Sequence, residues 1–254
     1  MRLKTFILNE SRSKNIDFDE ATNIIKTKCK KAYDTMLVSP IFRGVENNTN
    51  SMFVDPKKGK PRKSANTKNY YTYIIDNSPA WKNYPKRSKS IICTTDAGYA
   101  MGFGTTYRVF PYDGAKIGVC PTGDLWSSFW GILKDDLDSV NDALSKIFDF
   151  YGVKLDDSSY KMFKESFKVF DNSYNVFNYK KEYIYKHFPY NIEFIKELLN
   201  GYNGKNFYKK VENMFNPKKN EFELKKIGDS LPVNKEVWTD SKSVLINETM
   251  VKWL

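Results

Sequence analysis

The sequence predicts a mixed α/β fold in which strands lie on either side of a helical middle. Two observations carry this prediction. Apolar residues recur at helical spacing in the stretches 18–36, 124–150, 156–171 and 191–215. Short β-branched or aromatic runs bounded by turn residues, typical of strands, occur at 41–45, 90–95, 107–111, 115–120, 236–239 and 243–246.

The first predicted elements are a helix over 18–36 and a strand over 41–45. The helix must end before Ser39-Pro40, because the residue that precedes a proline avoids the helical region. Residues 46–69 are polar and rich in turn signals, so we expect a loop there. A short helix is predicted over 70–76.

The next elements are predicted from caps and turns. Asp96, directly after the strand at 90–95, is placed to cap a short helix. Asp113-Gly114 separates the strands at 107–111 and 115–120, and this dipeptide predicts a hairpin between them. Residues 121–220 then form a helical insertion or subdomain before the chain returns to strands.

The composition argues against several kinds of site. The single histidine, His187, and three cysteines without zinc-knuckle spacing argue against zinc catalysis and against a serine–histidine triad. We expect a structural or surface role for His187. No apolar run reaches the ~18–20 residues of a membrane span, and the N-terminal apolar stretch is too short for a signal peptide. These observations predict a cytoplasmic protein without a membrane partner.

Positive charge is concentrated in one part of the chain. The net charge is +11; residues 1–90 hold 19 Lys/Arg and 8 Asp/Glu, whereas the remainder holds 22 of each. The segment 57–89 carries ten basic residues against Asp76 alone. This segment is either the solvated surface of a lysine-rich chain or a contact for an anion such as a nucleotide, a nucleic acid or an acidic protein. Arg62 and Arg87 favour an anion, because a guanidinium presents a planar fork to phosphate.

Three short motifs stand at the ends of predicted strands. The first is Arg43-Gly44, and the second is Cys93-Thr94-Thr95 with Ala100 and Phe103 behind it. The third is the carboxylate of Glu236 at the start of a late strand. These residue types suit the cleavage of a glycosidic bond in an anionic substrate. The arginine can bind the anion, and the carboxylate can stabilise the positive charge that develops on the sugar. Such a reaction needs neither a metal nor a histidine.

Together these motifs resemble the Arg–Ser–Glu class of mono-ADP-ribosyltransferases, over roughly residues 20–120 and 225–250. The resemblance implies one domain over residues 1–254, in which two packed, mostly antiparallel sheets form a cleft for NAD and 121–220 is a helical insertion. It implies transfer of ADP-ribose from NAD to a macromolecular acceptor, with release of nicotinamide.

The resemblance also assigns roles to residues. Glu236 and Thr94 would be catalytic. The acceptor, a protein or a nucleic acid, would approach through the basic segment 57–89, and the lysine- and asparagine-rich composition would suit a phage or a low-GC bacterium. Contacts with NAD would come from the remaining motif residues, which are Arg43, Gly44, Cys93, Thr95 and Phe103.

The sequence departs from the pattern of this class at two positions. Cys93 stands where the first serine of Ser-Thr-Ser is expected, and the register Thr94-Thr95-Asp96 is an alternative. Asn234 stands where the first acid of Glu-x-Glu is expected, while a literal Glu-x-Glu occurs at 221–223 and ranks second. Two alternatives to an active enzyme therefore stay open. One is a nucleic-acid or nucleotide-binding protein that uses the 57–89 segment, and the other is an inactive relative that serves as an interaction module.

Overall fold

The computed structural model describes residues 13–62, 68–129, 137–177, 181–188 and 192–254. The N-terminal apolar stretch, residues 63–67 of the basic segment and residues 130–136 of the helix predicted at 124–150 lie outside the described residues. The chain divides into two compact units. The sheet unit comprises residues 1–65, 83–125 and 221–254, and the helical unit comprises 66–82 and 126–220.

The described residues form nine strands and nine α-helices, together with short 3-10 helices. The strands are β1 Ser13–Asn15, β2 Phe42–Val45, β3 Ser51–Val54, β4 Ile91–Thr94, β5 Thr105–Pro111, β6 Lys116–Val119, β7 Glu223–Lys226, β8 Glu236–Thr239 and β9 Ser243–Asn247. The helices are α1 Phe18–Lys28, α2 Lys30–Asp34, α3 Tyr70–Asn77, α4 Ala97–Met101, α5 Leu137–Phe150, α6 Tyr160–Phe177, α7 Lys181–His187, α8 Ile192–Leu199 and α9 Phe207–Met214.

All nine strands belong to one antiparallel sheet in the order β1-β3-β9-β5-β2-β4-β8-β6-β7. The mixed α/β class is confirmed, but one sheet replaces the two packed sheets that we expected. The junction between β2 and β4 consists of the single register pair Phe42↔Thr94, whereas β2 and β5 pair over four residues. The sheet is therefore continuous but narrow at this junction.

The hairpin predicted between β5 and β6 is wrong, although its turn exists. Gly114 adopts a positive φ of 82°, and the Ala115 amide donates to the Tyr112 carbonyl at 3.0 Å. However, β5 pairs with β2 and β9, and β6 pairs with β7 and β8. The Asp113 carboxylate accepts the Lys31 amide at 2.9 Å, so the turn is fixed to the start of α2 rather than closing a two-strand ribbon.

The predicted helix over 18–36 is present as two helices, α1 and α2, which Cys29 separates. Asp17 caps α1 by accepting the Glu20 amide at 2.6 Å. The buried side of α1 packs on β3 and β9 through Ile25, and the Cys29 thiol donates to the Phe110 carbonyl at 3.3 Å. The core of this unit therefore lies between α1 and the sheet.

The loop predicted over 46–69 contains a strand that the sequence reasoning missed. β3 pairs with β1 on one side and β9 on the other. β7 was missed as well, since the polar run after Glu223 did not suggest a strand. Both are four-residue strands.

Helix α4 forms as predicted, with Asp96 as its N-cap. The Asp96 carboxylate accepts the amides of Gly98 at 2.8 Å and Tyr99 at 3.1 Å. α4 lies directly on β2, because a Cβ on Gly44 would stand 2.0 Å from the Ala100 carbonyl oxygen. Only glycine permits this approach at position 44.

The helical unit contains α3 and α5 to α9. The short helix predicted over 70–76 is confirmed, as are the helices that apolar periodicity predicted at 156–171 and 191–215, whereas α7 lies outside these ranges. Its core is a cluster of stacked and edge-to-face rings, in which Phe170 lies 4.6 Å from Phe148 and 4.5 Å from Phe207 between ring centroids. Of the helix predicted at 124–150, residues 137–150 form α5, whereas Leu125–Ser127 form a short 3-10 helix. Among the described residues, no helix combines the length and the apolar character needed to cross a membrane.

Candidate functional site

The sheet brings the three motifs together on neighbouring strands. β4 lies between β2 and β8, with Phe42 opposite Thr94 and Thr94 opposite Glu236. Arg43, Thr94 and Glu236, which are far apart in the sequence, therefore lie at one place in the sheet unit.

Arg43 is held against β4. Its Nη1 atom donates to the Ile92 carbonyl at 2.6 Å. Burial lowers the pKa of the Arg43 guanidinium, the charge of Arg87 adds to this effect, and Cys93 and Glu236 oppose it. Arg43 is thus close enough to Glu236 for their charges to interact.

The Glu236 carboxylate is surrounded by polar groups, and only 12% of the side chain is exposed. Arg87 Nη2 donates to Glu236 Oε1 at 2.5 Å, and Cys120 Sγ stands 3.7 Å from the same oxygen. The Leu125 amide donates to Oε2 at 3.4 Å. The carboxylate is therefore anchored mainly through Oε1.

Arg87 is the residue of this site that the sequence reasoning misplaced. We expected it to present its fork to an external anion, but its side chain is 6% exposed and it pairs with Glu236. The guanidinium carbon lies 5.3 Å from the centroid of the Trp238 ring. In addition, the basic segment is divided, with 57–65 and 83–89 in the sheet unit and 66–82 in the helical unit.

The second motif has mainly internal contacts. Thr94 is buried, and its hydroxyl accepts the Asp96 amide at 3.1 Å. The Thr95 hydroxyl donates to the Pro232 carbonyl at 2.8 Å and accepts the Lys235 amide at 2.9 Å. Thr95 therefore fixes the loop that leads into Glu236.

Cys93 is a neutral thiol in the core. Burial raises its pKa to about 12; Arg43 lowers it and Glu236 raises it further. A cysteine at this position supplies volume to the core rather than a reactive thiolate.

Two further residues reach the site without having been predicted. Tyr99 of α4 is hydrogen-bonded to the Asp124 side chain. Burial, together with the negative charges of Asp124 and Glu236, raises the pKa of Tyr99 to about 12. The Tyr99 ring packs edge-on against Phe103, with 5.3 Å between centroids. The cap at Asp96 was the available sequence signal, since it places Tyr99 in the first turn of α4.

The alternative carboxylates lie elsewhere. Glu223 is exposed on the edge strand β7, two strands from β8, and its carboxylate is 2.8 Å from Lys225 Nζ. Asn234, in the loop before β8, is exposed with a φ of 56°. His187 is in the helical unit, with Nδ1 2.8 Å from the Tyr183 carbonyl.

No family model, curated protein or solved structure matches the chain. Within the part of the chain that the structure describes, no group of three His, Cys, Asp or Glu residues could hold a metal ion. The site of the sheet unit offers two guanidinium groups, two carboxylates and a phenol, a set that can bind an anion and stabilise a developing positive charge.

Proposed function

We propose that the chain transfers ADP-ribose from NAD to a macromolecular acceptor and releases nicotinamide. The observation that carries the proposal is the placement of Arg43, Thr94 and Glu236 on the adjacent strands β2, β4 and β8. This is the set of residues for which the sequence resembles the Arg–Ser–Glu class. The packing of Ala100 and Phe103 against Gly44 supports the same assignment.

The reaction needs a carboxylate near the ribose. The nicotinamide–ribose bond breaks and its electron pair leaves with nicotinamide, so that positive charge develops on the ribose. A nucleophile of the acceptor then bonds to the same carbon and loses its proton. Glu236 would stabilise that charge more strongly in the transition state than in bound NAD, which lowers the barrier.

An arginine would bind the diphosphate of NAD. The site contains the guanidinium groups of Arg43 and Arg87. Guanidinium groups bind phosphate oxygens well, because they can donate two parallel hydrogen bonds. Arg43 is the proposed direct ligand, since Arg87 is already paired with Glu236.

The proposal is tested with NAD that carries a label on its adenylate half. The protein is incubated with a bacterial lysate, and nicotinamide release is measured together with label in protein and in nucleic acid. We expect release and label in one of the two fractions. If folded protein binds NAD but releases no nicotinamide, the inactive relative is the better description. If it neither binds nor cleaves NAD, the proposal fails.

Arg43 provides a second test. Arg43→Lys keeps the charge but loses the planar fork, so we expect NAD affinity to fall about tenfold in calorimetry. Lys225→Arg, on the edge strand β7, is the matched control and should leave affinity unchanged. An affinity that is unchanged in Arg43→Lys would remove Arg43 from the NAD site.

A second candidate function is binding of nucleic acid by the sheet unit. The Arg62 amide donates to the Ser88 carbonyl at 2.7 Å, and Lys89 Nζ donates to the Gly59 carbonyl at 3.0 Å. These contacts bring two basic pieces of the chain, 57–62 and 86–89, side by side. Phosphate contacts would make RNA or DNA affinity fall steeply with salt, so an anisotropy titration at several salt concentrations tests this candidate.

A further inference from the structure

The ion pair between Arg87 and Glu236 is not explained by the three motifs. Both side chains are almost fully buried, at 6% and 12% exposure, and Arg87 Nη2 lies 2.5 Å from Oε1. Burying two charges is costly unless their geometry is well fixed. The packing around Arg87 suggests what this ion pair does.

The segment that carries Arg87 is fastened to β8. Trp238 Nε1 donates to the Pro85 carbonyl at 3.0 Å, and the Tyr84 ring stacks on the Trp238 ring at 6.2 Å between centroids. The Ser90 hydroxyl donates to the Lys86 carbonyl at 2.7 Å. The same β8 strand carries Glu236, so both partners of the ion pair share one support.

The Trp238 ring is itself fixed by β6. A Cβ on Gly118 would stand 2.3 Å from this ring, so the indole packs directly against the backbone at that position. Arg87 lies over the same indole. The position of the Arg87 guanidinium is thus set by the Trp238 ring, which is itself held by the backbone at Gly118.

Glu236 has little else to fix its carboxylate. Its other oxygen receives a long contact of 3.4 Å from the Leu125 amide, and the Cys120 thiol is a weak partner at 3.7 Å. A glutamate side chain has three rotatable bonds, and holding a reacting group within tenths of an ångström matters for rate. Arg87 is the strongest constraint that the described contacts place on it.

We propose that Arg87 is the positioning residue of Glu236, holding Oε1 by the ion pair so that Oε2 faces the ribose. This inference rests on the ADP-ribosyl transfer proposed above. Arg87 acts through Glu236 and does not contact NAD. Its loss should therefore lower kcat, while the KM for NAD changes little.

The experiment is a double-mutant cycle on the full chain, with nicotinamide release as the activity and chemical denaturation as the check of folding. Its variants are Arg87→Met, Arg87→Lys, Glu236→Gln and the double variant of Arg87→Met with Glu236→Gln. We expect Arg87→Met to lower kcat about 10- to 100-fold with KM within about threefold, and Arg87→Lys to recover part of that loss. With Gln at position 236, Arg87→Met should have no further effect on kcat, because the two residues act as one unit.

Three outcomes overturn the inference in an enzyme whose wild-type chain is active. In the first, the losses of kcat in Arg87→Met and Glu236→Gln multiply in the double variant. In the second, Arg87→Met raises the KM for NAD at an unchanged kcat. In the third, Arg87→Lys and Arg87→Met both keep full activity. If Arg87→Met does not fold, a kcat of Arg87→Lys equal to that of the wild type also overturns it. A wild-type chain without nicotinamide release instead overturns the proposed function itself, and this inference with it.

Discussion

Among the described residues, two arginines of the sheet unit form pairs with carboxylates while their own side chains are buried. One is Arg87 with Glu236, and the other is Arg108 of β5 with Glu248, directly after β9. Arg108 is held on every arm: Nε donates to Glu248 Oε2 at 3.1 Å, Nη2 donates to Oε1, and Nη1 donates to the Met36 carbonyl at 2.8 Å. This bidentate contact joins the 3-10 helix Glu248–Trp253 to the sheet.

The two pairs differ in what surrounds them. Glu248 is 35% exposed, and Arg108 packs over the Phe42 ring. This pair therefore lies at the boundary between the core of the sheet unit and solvent. Glu236 instead interacts electrostatically with Arg43 and with Tyr99, and Tyr99 is also hydrogen-bonded to Asp124. A sheet needs no such concentration of ionisable groups for its stability, whereas a reactive site does. We therefore assign the Arg108 pair to stability and the Arg87 pair to the proposed site.

The largest expected effect is that of Glu236→Gln on turnover. The amide keeps the shape but removes the charge that would stabilise the transition state, so nicotinamide release should fall by at least ~10². NAD affinity should stay within a few-fold, whereas the free energy of unfolding should fall by about 3 kcal/mol, because the buried Arg87 guanidinium loses its anionic partner. Wild-type turnover in this variant would show that Glu236 is not catalytic. The Arg87–Glu236 pair would then differ in no functional respect from the Arg108–Glu248 pair.

Arg108→Met should lower stability without affecting turnover. It leaves Glu248 and the Met36 carbonyl without their donor, and we expect the free energy of unfolding to fall by about 2 kcal/mol, below the range for fully buried pairs because Glu248 is partly solvated. Turnover per folded molecule should not change. Urea denaturation and activity assays measure both quantities. Lys57→Met, which breaks an exposed pair with Asp240 at 3.1 Å, is the control and should cost almost nothing.

Thr95→Val tests whether a motif residue serves the fold or the ligand. Valine keeps the volume but loses both hydrogen bonds to the loop at 232–235, so we expect a loss of about 1 kcal/mol in stability and a few-fold lower turnover. Thr95→Ser should restore both. A tenfold loss of NAD affinity at unchanged stability would instead support the direct NAD contact that the resemblance implies.

Glu223→Gln should have the smallest effect. Its carboxylate is exposed on the edge strand and pairs only with a neighbour on the same strand, so stability should change by less than about 0.5 kcal/mol. Turnover should match the wild type. If this variant loses turnover and Glu236→Gln keeps it, the literal Glu-x-Glu is the functional motif.

The sequence predicted the elements whose local signals are strong. α1, α4 and α6 have clear periodicity or a cap, and β2 and β4 are β-branched or aromatic runs bounded by turn residues. β1, β3 and β7 were missed for physical reasons. β3 stands between the polar run 46–50 and Asp55-Pro56, so turn signals hide it. β1 and β7 are polar edge strands, and edge polarity weakens the alternating pattern on which strand prediction depends.

Pairing was harder to predict than the elements themselves. The Asp113-Gly114 turn was predicted, but the strands on its two sides pair with distant strands and not with each other. Likewise, Arg87 looked like a surface cation because its neighbours in sequence are lysines and serines. Its partner lies 149 positions further along the chain, and no local pattern encodes such a contact.

The strand order has a consequence for synthesis of the protein. β8 and β9 come last among the described strands, yet they fill the seventh and third positions of the sheet. A nascent chain that has not yet emerged beyond residue 235 could assemble only three separate pieces: β1-β3, β5-β2-β4 and β6-β7. Pairing between such distant segments is slow and comes late. The ribosome would therefore carry an unfinished sheet until its final strands emerge, and Glu236 arrives with the strand that closes one of the two gaps.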